Sequence, residues 1–183
     1  MERFPKGSVT ILILLGLFLI NCVEDTSLCD EVRFISNRDY YPAFHRLAEG
    51  ASESIFVVIY LAKFHKTQET QVNMILDDLI FAKQRGLLVR VLLERSSWDS
   101  TLNKYNREFI DSLLRYEIIA SFDGEAITTH AKCVVFDGEC ALLGSSNWST
   151  SALEYNNEVN IEIHDKEICG EIEEYINNLW EDK

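Results

Sequence analysis

The chain has 183 residues, 47% of them hydrophobic and 26% charged, with 8 glycines and 2 prolines. That length and apolar content fit one compact domain of roughly 150 residues with a core of its own, and they exclude disorder over most of the chain. The 17 basic and 30 acidic side chains leave a formal net charge of −13. This excludes a protein built to coat nucleic acid, because phosphate binding is driven by Lys and Arg, although it does not exclude a local cationic site.

Arg3 and Lys6 precede an apolar run from Val9 to Ile20 that only Thr10 and Gly16 interrupt, and Glu24 and Asp25 then restore polarity. The run is shorter than the roughly 20 residues a spanning helix needs, and it is apolar on every face, so it fits the hydrophobic region of an export signal. Ile20, Asn21 and Cys22 lack the small residues that favour cleavage. Three outcomes stay open: a cleaved signal, a retained short anchor, or a lipid-modified Cys22. Each places the rest of the chain outside the cytoplasm, secreted, periplasmic or held at a membrane. Residues 1–23 are then the signal peptide or anchor, 24–30 a linker, and 31–183 the folded domain.

From Asp30 onward, strands and helices alternate. Val32 to Ile35 reads as a strand and Pro42 to Gly50 as a helix with Phe44, Leu47 and Ala48 on one face. Ser54 to Leu61 is a continuous apolar run expected to form a buried central strand. Gln68 to Arg85 has Val72, Ile75, Leu76, Leu79 and Ile80 at helical spacing and stops at Gly86. A strand over Leu87 to Leu93, a helix carrying Leu102, Phe109, Leu113 and Leu114, and a strand over Glu117 to Phe122 follow. Ala131 to Phe136 and Cys140 to Leu143 read as a hairpin about Asp137-Gly138, Glu158 to Ile163 as a last strand, and Lys166 to Trp180 as an acidic closing helix. The pattern predicts an α/β fold with a mixed central β-sheet and helices on both faces. None of the five cysteines forms a close metal-binding pair. Cys133 and Cys140 are expected diagonal to each other on one sheet face, too far apart for an unstrained bridge, and Cys22 and Cys29 are the candidates for exposed thiols.

The residues able to do chemistry cluster between Thr129 and Glu158. His130 and Lys132 lie two apart at the start of a strand, so both project from one face. The return strand runs into Gly144-Ser145-Ser146-Asn147, which brings a hydroxyl and a carboxamide back beside them. Together they suit a tetrahedral anion: Lys132 supplies charge, Ser145 and Asn147 supply donors, and His130 can attack or move protons. Glu158 opens the next strand, where its carboxylate could accept the second N–H of His130 and leave Nε2 nucleophilic. Asp137 has a sufficient explanation in the Asp-Gly turn. Lys63, His65 and Lys66, just after the buried strand, are candidates for lining a substrate cleft, although a solvated basic loop explains them as well. Trp148 reads as packing, and His45 and His164 as surface residues.

The run from His130 through Lys132, Asp137, Gly144, Ser145 and Asn147 resembles the signature of the phospholipase D superfamily: His, any residue, Lys, four residues, Asp, then Gly-Ser and a nearby Asn. Asn147-Trp148-Ser149, Asn157-Glu158-Val159, Ser54-Ile55 leading to Tyr60, and Ala82 to Gly86 leading to Val89 to Leu93 are similar to further segments of that family, so the likeness runs from Val32 to Trp180. The resemblance implies a phospholipase D-like catalytic domain and a two-step phosphodiester displacement without metal or other cofactor. One His attacks phosphorus to give a phosphohistidine, and a second His protonates the leaving oxygen. The catalytic set it carries over is His130, Lys132, Asn147, Glu158 and Asp137, with Lys132, Ser145 and Asn147 holding the phosphate.

Of the four histidines, His45, His65, His130 and His164, only His130 heads a complete motif; His164-Asp165-Lys166 repeats the spacing but lacks the rest. The second His is therefore expected from a second subunit, which predicts a homodimer with one shared site. Short single-motif members of the family imply two substrate classes, phospholipids and nucleic acids. Export and a membrane surface favour a phospholipid phosphodiesterase, and a nonspecific endonuclease is the alternative, since a few lysines doubled across a two-fold axis can form an anion site in an acidic body.

Overall fold

The computed structural model describes residues 32–124 and 126–183. The expectations for the signal or anchor, the linker, Cys22 and Cys29 lie outside the described residues. Among those described, no helix is long and apolar enough to cross a membrane. Strand β1 (Val32–Ser36) leads through a short 3-10 turn into helix α1 (Tyr40–Gly50), followed by β2 (Ser54–Ile59), β3 (Ala62–Lys63), α2 (Gln71–Gln84), β4 (Leu88–Leu93), α3 (Ser100–Leu114) and β5 (Ile119–Phe122). The remainder comprises β6 (Lys132–Phe136), β7 (Cys140–Gly144), β8 (Trp148–Ser149), a π-helical turn (Ser151–Tyr155), β9 (Val159–Ile163) and α4 (Lys166–Glu181).

Seven strands form one mixed sheet in the order β1-β9-β7-β6-β2-β4-β5. β2, β4 and β5 run parallel, and the β6, β7, β9 and β1 pairings are antiparallel. On one face Phe44 and Leu47 of α1, Val72 and Leu79 of α2, and Phe109 and Leu113 of α3 pack on Ile55, Val57 and Ile59 of β2 and Val89 and Val91 of β4. On the other, Cys169 and Ile176 of α4 cover Phe56, Val58, Leu92 and Val135. Both faces of β2 are thus covered, which is why its sequence is an unbroken apolar run rather than an alternation. The fold is the mixed α/β sheet with helices on both faces that the pattern implied.

Local chemistry fixes the helix ends. Thr70 caps α2 by accepting the Asn73 N–H, which sets its start three residues past Gln68, and Gly86 at φ +96° follows its end. Asp99 and Asp165 cap α3 and α4 with their carboxylates. Two features have no periodic signal. β3 and β8 pair in parallel, Ala62 with Trp148 and Lys63 with Ser149, over only two residues each.

The cysteine expectation is corrected by register. Cys140 pairs with Phe136 and Cys133 with Leu143, three residues apart along β6, so the two thiols lie on opposite faces of the sheet. Cys133 packs on the α4 side, while Cys140 lies on the other side, where its Sγ meets His164 Nδ1 at 3.1 Å.

The topology gathers several strand ends. Ile59 is paired with both Leu93 and Lys132, Leu143 with Cys133, and Gly144 with Asn160. The C-terminal ends of β2, β4 and β7 therefore meet the N-terminal ends of β6 and β9 at one end of the sheet.

Candidate active site

His130 and Lys132 occupy that end. His130 is exposed, whereas Lys132 is 8% exposed. The Lys132 Nζ donates to the His130 main-chain carbonyl at 2.6 Å and stands 3.3 Å from His130 Nδ1. Tyr60, just past β2, packs its ring 4.5 Å from the imidazole and 5.1 Å under the ammonium. Burial and the nearby Lys132 charge hold the His130 imidazole below its usual range, so the ring is neutral at neutral pH. Burial likewise lowers Lys132, against the opposing charge of Glu158. An ammonium donating to Nδ1 leaves the single proton of the neutral ring on Nε2.

The Gly-Ser loop returns to the same end. Ser145 donates its hydroxyl to the Glu158 carboxylate and accepts the Val159 N–H at 3.0 Å, and its own N–H donates to the Val159 carbonyl. Asn156 donates to the other Glu158 oxygen at 3.0 Å. The expected bond from His130 to Glu158 is therefore not made within one chain, because Ser145 and Asn156 occupy that carboxylate. Its charge is nonetheless near enough to act on Lys132. Gly144 is required by close approach: a Cβ there would collide with the Val159 carbonyl and the Asn160 side chain and come 2.6 Å from the Asn160 Cα. The Asn147 Oδ1 is sealed from solvent and has no donor among the described residues.

Other expected residues are placed elsewhere. Asp137 lies at the far end of β6 from Lys132, at φ +55° in the turn with Gly138 at φ +64°. Its carboxylate accepts the N–H groups of Ser52, Glu53 and Ser54, each at 2.8 Å, and the Ser52 hydroxyl at 3.2 Å. It ties the hairpin to the start of β2, at the far end of β6 from the His130 cluster. Lys63 and Lys66 lean onto α3, Lys63 over the Tyr105 ring at 4.4 Å and Lys66 against Glu108 at 3.1 Å. His65 is exposed in the loop after β3, and nothing brings these three into contact with His130. Trp148 is fully buried, its Nε1 donating to the Tyr40 hydroxyl at 3.0 Å. His164 is no mere surface residue, since its Nε2 donates to the buried Glu162 carboxylate at 2.6 Å.

Three buried polar residues behind the site escaped the sequence reading. Asn160, 1% exposed, donates to Ser146 Oγ at 2.9 Å and accepts the Ser146 N–H, fixing the loop before Asn147. Asn106 of α3, fully buried, donates to the carbonyls of Tyr60 and Glu94 and accepts the Ala62 N–H. Glu94, 1% exposed, accepts the Thr129 N–H at 2.6 Å, one residue before His130. The available signal for Glu94 was a carboxylate closing an apolar strand run.

Comparison with known proteins places this architecture. A family described as cardiolipin synthase, PLD-like domain, matches residues 45–180. Cardiolipin synthase A of Klebsiella pneumoniae is 30% identical over 133 residues, which is 66% of this chain and 27% of that protein, so the chain spans about a quarter of the curated relatives it matches. Among solved structures, Nuc from Salmonella typhimurium, a phospholipase D family member, superposes with a TM-score of 0.69 at 18% identity, covering 82% of this chain and 94% of that one. NucT from Helicobacter pylori gives a TM-score of 0.66 at 20% identity over 83% of this chain and 98% of that one.

Proposed function

Because the chain belongs to the PLD-like domain family, within the phospholipase D superfamily, we propose that it is a metal-independent phosphodiesterase that hydrolyses phospholipids through a phosphohistidine at a site shared by two copies. The observation that carries this reading is the pairing of an exposed His130 with a buried Lys132 at the converging strand ends. In the forward step Lys132 turns from Nδ1 to the phosphate oxygens, and the His130 of one copy, its ring proton then on Nδ1, bonds through Nε2 to phosphorus as the bond to the leaving oxygen breaks. The His130 of the other copy, as the imidazolium, gives its Nε2 proton to that oxygen and becomes neutral, then takes a proton back from water as the water oxygen displaces the first imidazole from phosphorus. Lys132 balances the charge of the non-bridging oxygens throughout.

The two-copy arrangement is supported by the motif count. Of the four histidines His130 alone heads a complete motif, whereas the reaction needs a nucleophile and an acid at the same time. A dimer exported from the cytoplasm, with the site facing a membrane, accommodates both roles. Trp98, Ile127 and Tyr155, 72%, 81% and 74% exposed, sit in the β4–α3, β5–β6 and β8–β9 connections at this same end, a rim of apolar side chains suited to an acyl-chain surface. A nonspecific endonuclease is the second reading, favoured by Lys63 and the Tyr60 ring at the same end, which would offer charge and a stacking face to a nucleic-acid strand.

The test is to incubate the purified chain with fluorescent phosphatidylcholine or cardiolipin vesicles and, in parallel, with plasmid, both in EDTA. Lipid turnover is expected; nicking without lipid turnover overturns the substrate class, and loss of turnover in EDTA overturns the metal-free step. His130→Asn is expected to abolish turnover, and mixing it with wild type is expected to depress activity through mixed dimers. Sedimentation showing an active monomer overturns the shared site.

A further inference from the structure

The end of β4 and the end of β5 place two carboxyl groups together behind His130. Glu94 is 1% exposed and accepts the Thr129 N–H at 2.6 Å through Oε2. Asp123 is 5% exposed; its Oδ1 accepts the Arg95 N–H at 2.6 Å, and its own N–H donates to the Leu93 carbonyl at 2.9 Å. Its Oδ2 is sealed from solvent and has no donor among the described residues. Two adjacent buried carboxylates cannot both hold a charge without a large desolvation and repulsion cost. One shared proton removes both difficulties. An O–H on Glu94 donating to Asp123 Oδ2 supplies the missing donor, and leaves Oε2 free to accept from Thr129.

Taking His130 as the reactive group, we propose that Glu94 is a positioning residue for it: as a protonated acid bonded to Asp123, Glu94 holds the Thr129 amide and so fixes where the chain enters β6. Each neighbour of the pair fits this arrangement. Asn106 of α3 fastens the Glu94 carbonyl to that of Tyr60, whose ring packs on His130, so one buried network ties the acid to both walls of the site. Arg95, Arg107 and Lys183 line a cavity together with Asp123. Tyr175 and Asp182, near the C-terminus, line a second cavity with Asp123 and Thr129, and Tyr60 faces Glu94 from just past β2. Burial first, and the Asp123 charge with it, push Glu94 up to about 7, so the proton is held at mildly acidic pH and lost above neutrality.

An activity-independent experiment tests this directly. In the wild-type chain the Thr129 amide resonance is expected to titrate with a midpoint near 7, the value expected for Glu94. In Glu94→Gln, whose amide donates to Asp123 and accepts from Thr129 at every pH, that titration is expected to vanish. A Thr129 amide that does not titrate in the wild type, or titrates equally in Glu94→Gln, overturns the shared proton. On a phosphodiester substrate, Glu94→Ala is expected to lose roughly 10- to 100-fold in kcat with KM nearly unchanged, as for a misplaced reacting group. The ratio of Glu94→Gln to wild-type kcat is expected to climb as pH passes neutrality. Wild-type kcat in Glu94→Ala overturns the positioning role, whereas a wild-type protein that titrates at Thr129 yet cleaves no phosphodiester overturns the functional reading instead.

Discussion

The Nζ of Lys132 and the Nδ1 of His130 stand 3.3 Å apart, with the His130 carbonyl bound to the same ammonium at 2.6 Å. Burial and this cation together keep the imidazole below its ordinary range. Lys132→Met removes one of the two causes, so the His130 ring is expected to titrate at higher pH in the variant, closer to the ordinary 6.5 or so. The acid limb of the pH–rate profile, where the ring becomes protonated and can no longer attack, is expected to move up with it. Turnover at the optimum is expected to fall by roughly 10² to 10³, as for loss of one group that stabilises developing charge. Ring-proton NMR titration of both proteins checks the shift; an unmoved His130 would show that the two groups do not interact.

Asp137 is expected to matter for stability rather than chemistry. Burial would raise its carboxyl, but the N–H groups of Ser54, Ser52 and Glu53 override that and hold it below the usual carboxylate range. A depressed pKa contributes stability that is present above the unfolded value of about 3.9 and lost as pH falls through the folded one. Asp137→Ala is expected to cost about 2 kcal/mol at neutral pH, after allowing for solvent screening of this partly exposed group. The variant's deficit against wild type should therefore shrink in urea melts run in acid, while kcat per folded molecule stays near wild type. A collapse of kcat with unchanged stability would return Asp137 to the catalytic set.

The elements were legible because their signals are local: the apolar run of β2, the 3.6-residue stripe of α2, the Asp137-Gly138 turn. His130, Lys132, Gly144, Ser145, Asn147 and Glu158 were legible as a group because strand parity and a hairpin suffice to bring them to one sheet end. What stayed hidden depends on pairings between distant segments. Nothing in the sequence near Glu158 says that Ser145 and Asn156 will occupy its carboxylate, and nothing near Glu94 says that Thr129, 35 residues on, will donate to it. The cysteine error has the same root, since a slip of one residue in hairpin register exchanges the faces of a sheet.

Glu162 gives a prediction independent of the site. It is fully buried on β9, yet it pairs with Arg46 of α1, with His164 at 2.6 Å and more distantly with Arg33 of β1. Burial alone would raise its carboxyl, but the bonds from His164 and Arg46 override that and lower it. Glu162→Gln leaves Arg46 and Arg33 without their counter-charge and is expected to destabilise by about 2–3 kcal/mol, toward the low end for a buried pair because Arg46 can turn to solvent. The lost stability belongs to pH values above the unfolded glutamate value of about 4.3, so wild type and variant should converge in acid melts. A constant gap from neutral to strongly acidic pH would exclude the ion pair as its source.

Gly144 tests why a glycine stands before Ser145. Viewed as chemistry, Gly-Ser is a flexible donor loop; in the structure the glycine is where β7 and β9 approach too closely for any side chain, with the Val159 carbonyl and Asn160 Oδ1 in the space a Cβ would take. Both blocking groups are fixed: Val159 bonds Ser145 through its carbonyl and its N–H, and Asn160 bonds Ser146 through both ends of its amide. Gly144→Ala must therefore displace β9 rather than a free side chain, and is expected to cost about 2 kcal/mol, within the usual range for overpacking. Because the same bonds hold Ser145 against Glu158 and set the path to Asn147, activity is expected to fall further than stability, with KM rising as the phosphate-binding loop shifts. Amide exchange should report the injury first in residues 145–147 and 158–160. Wild-type exchange there, with activity lost all the same, would mean that Gly144 serves the substrate directly and not the loop.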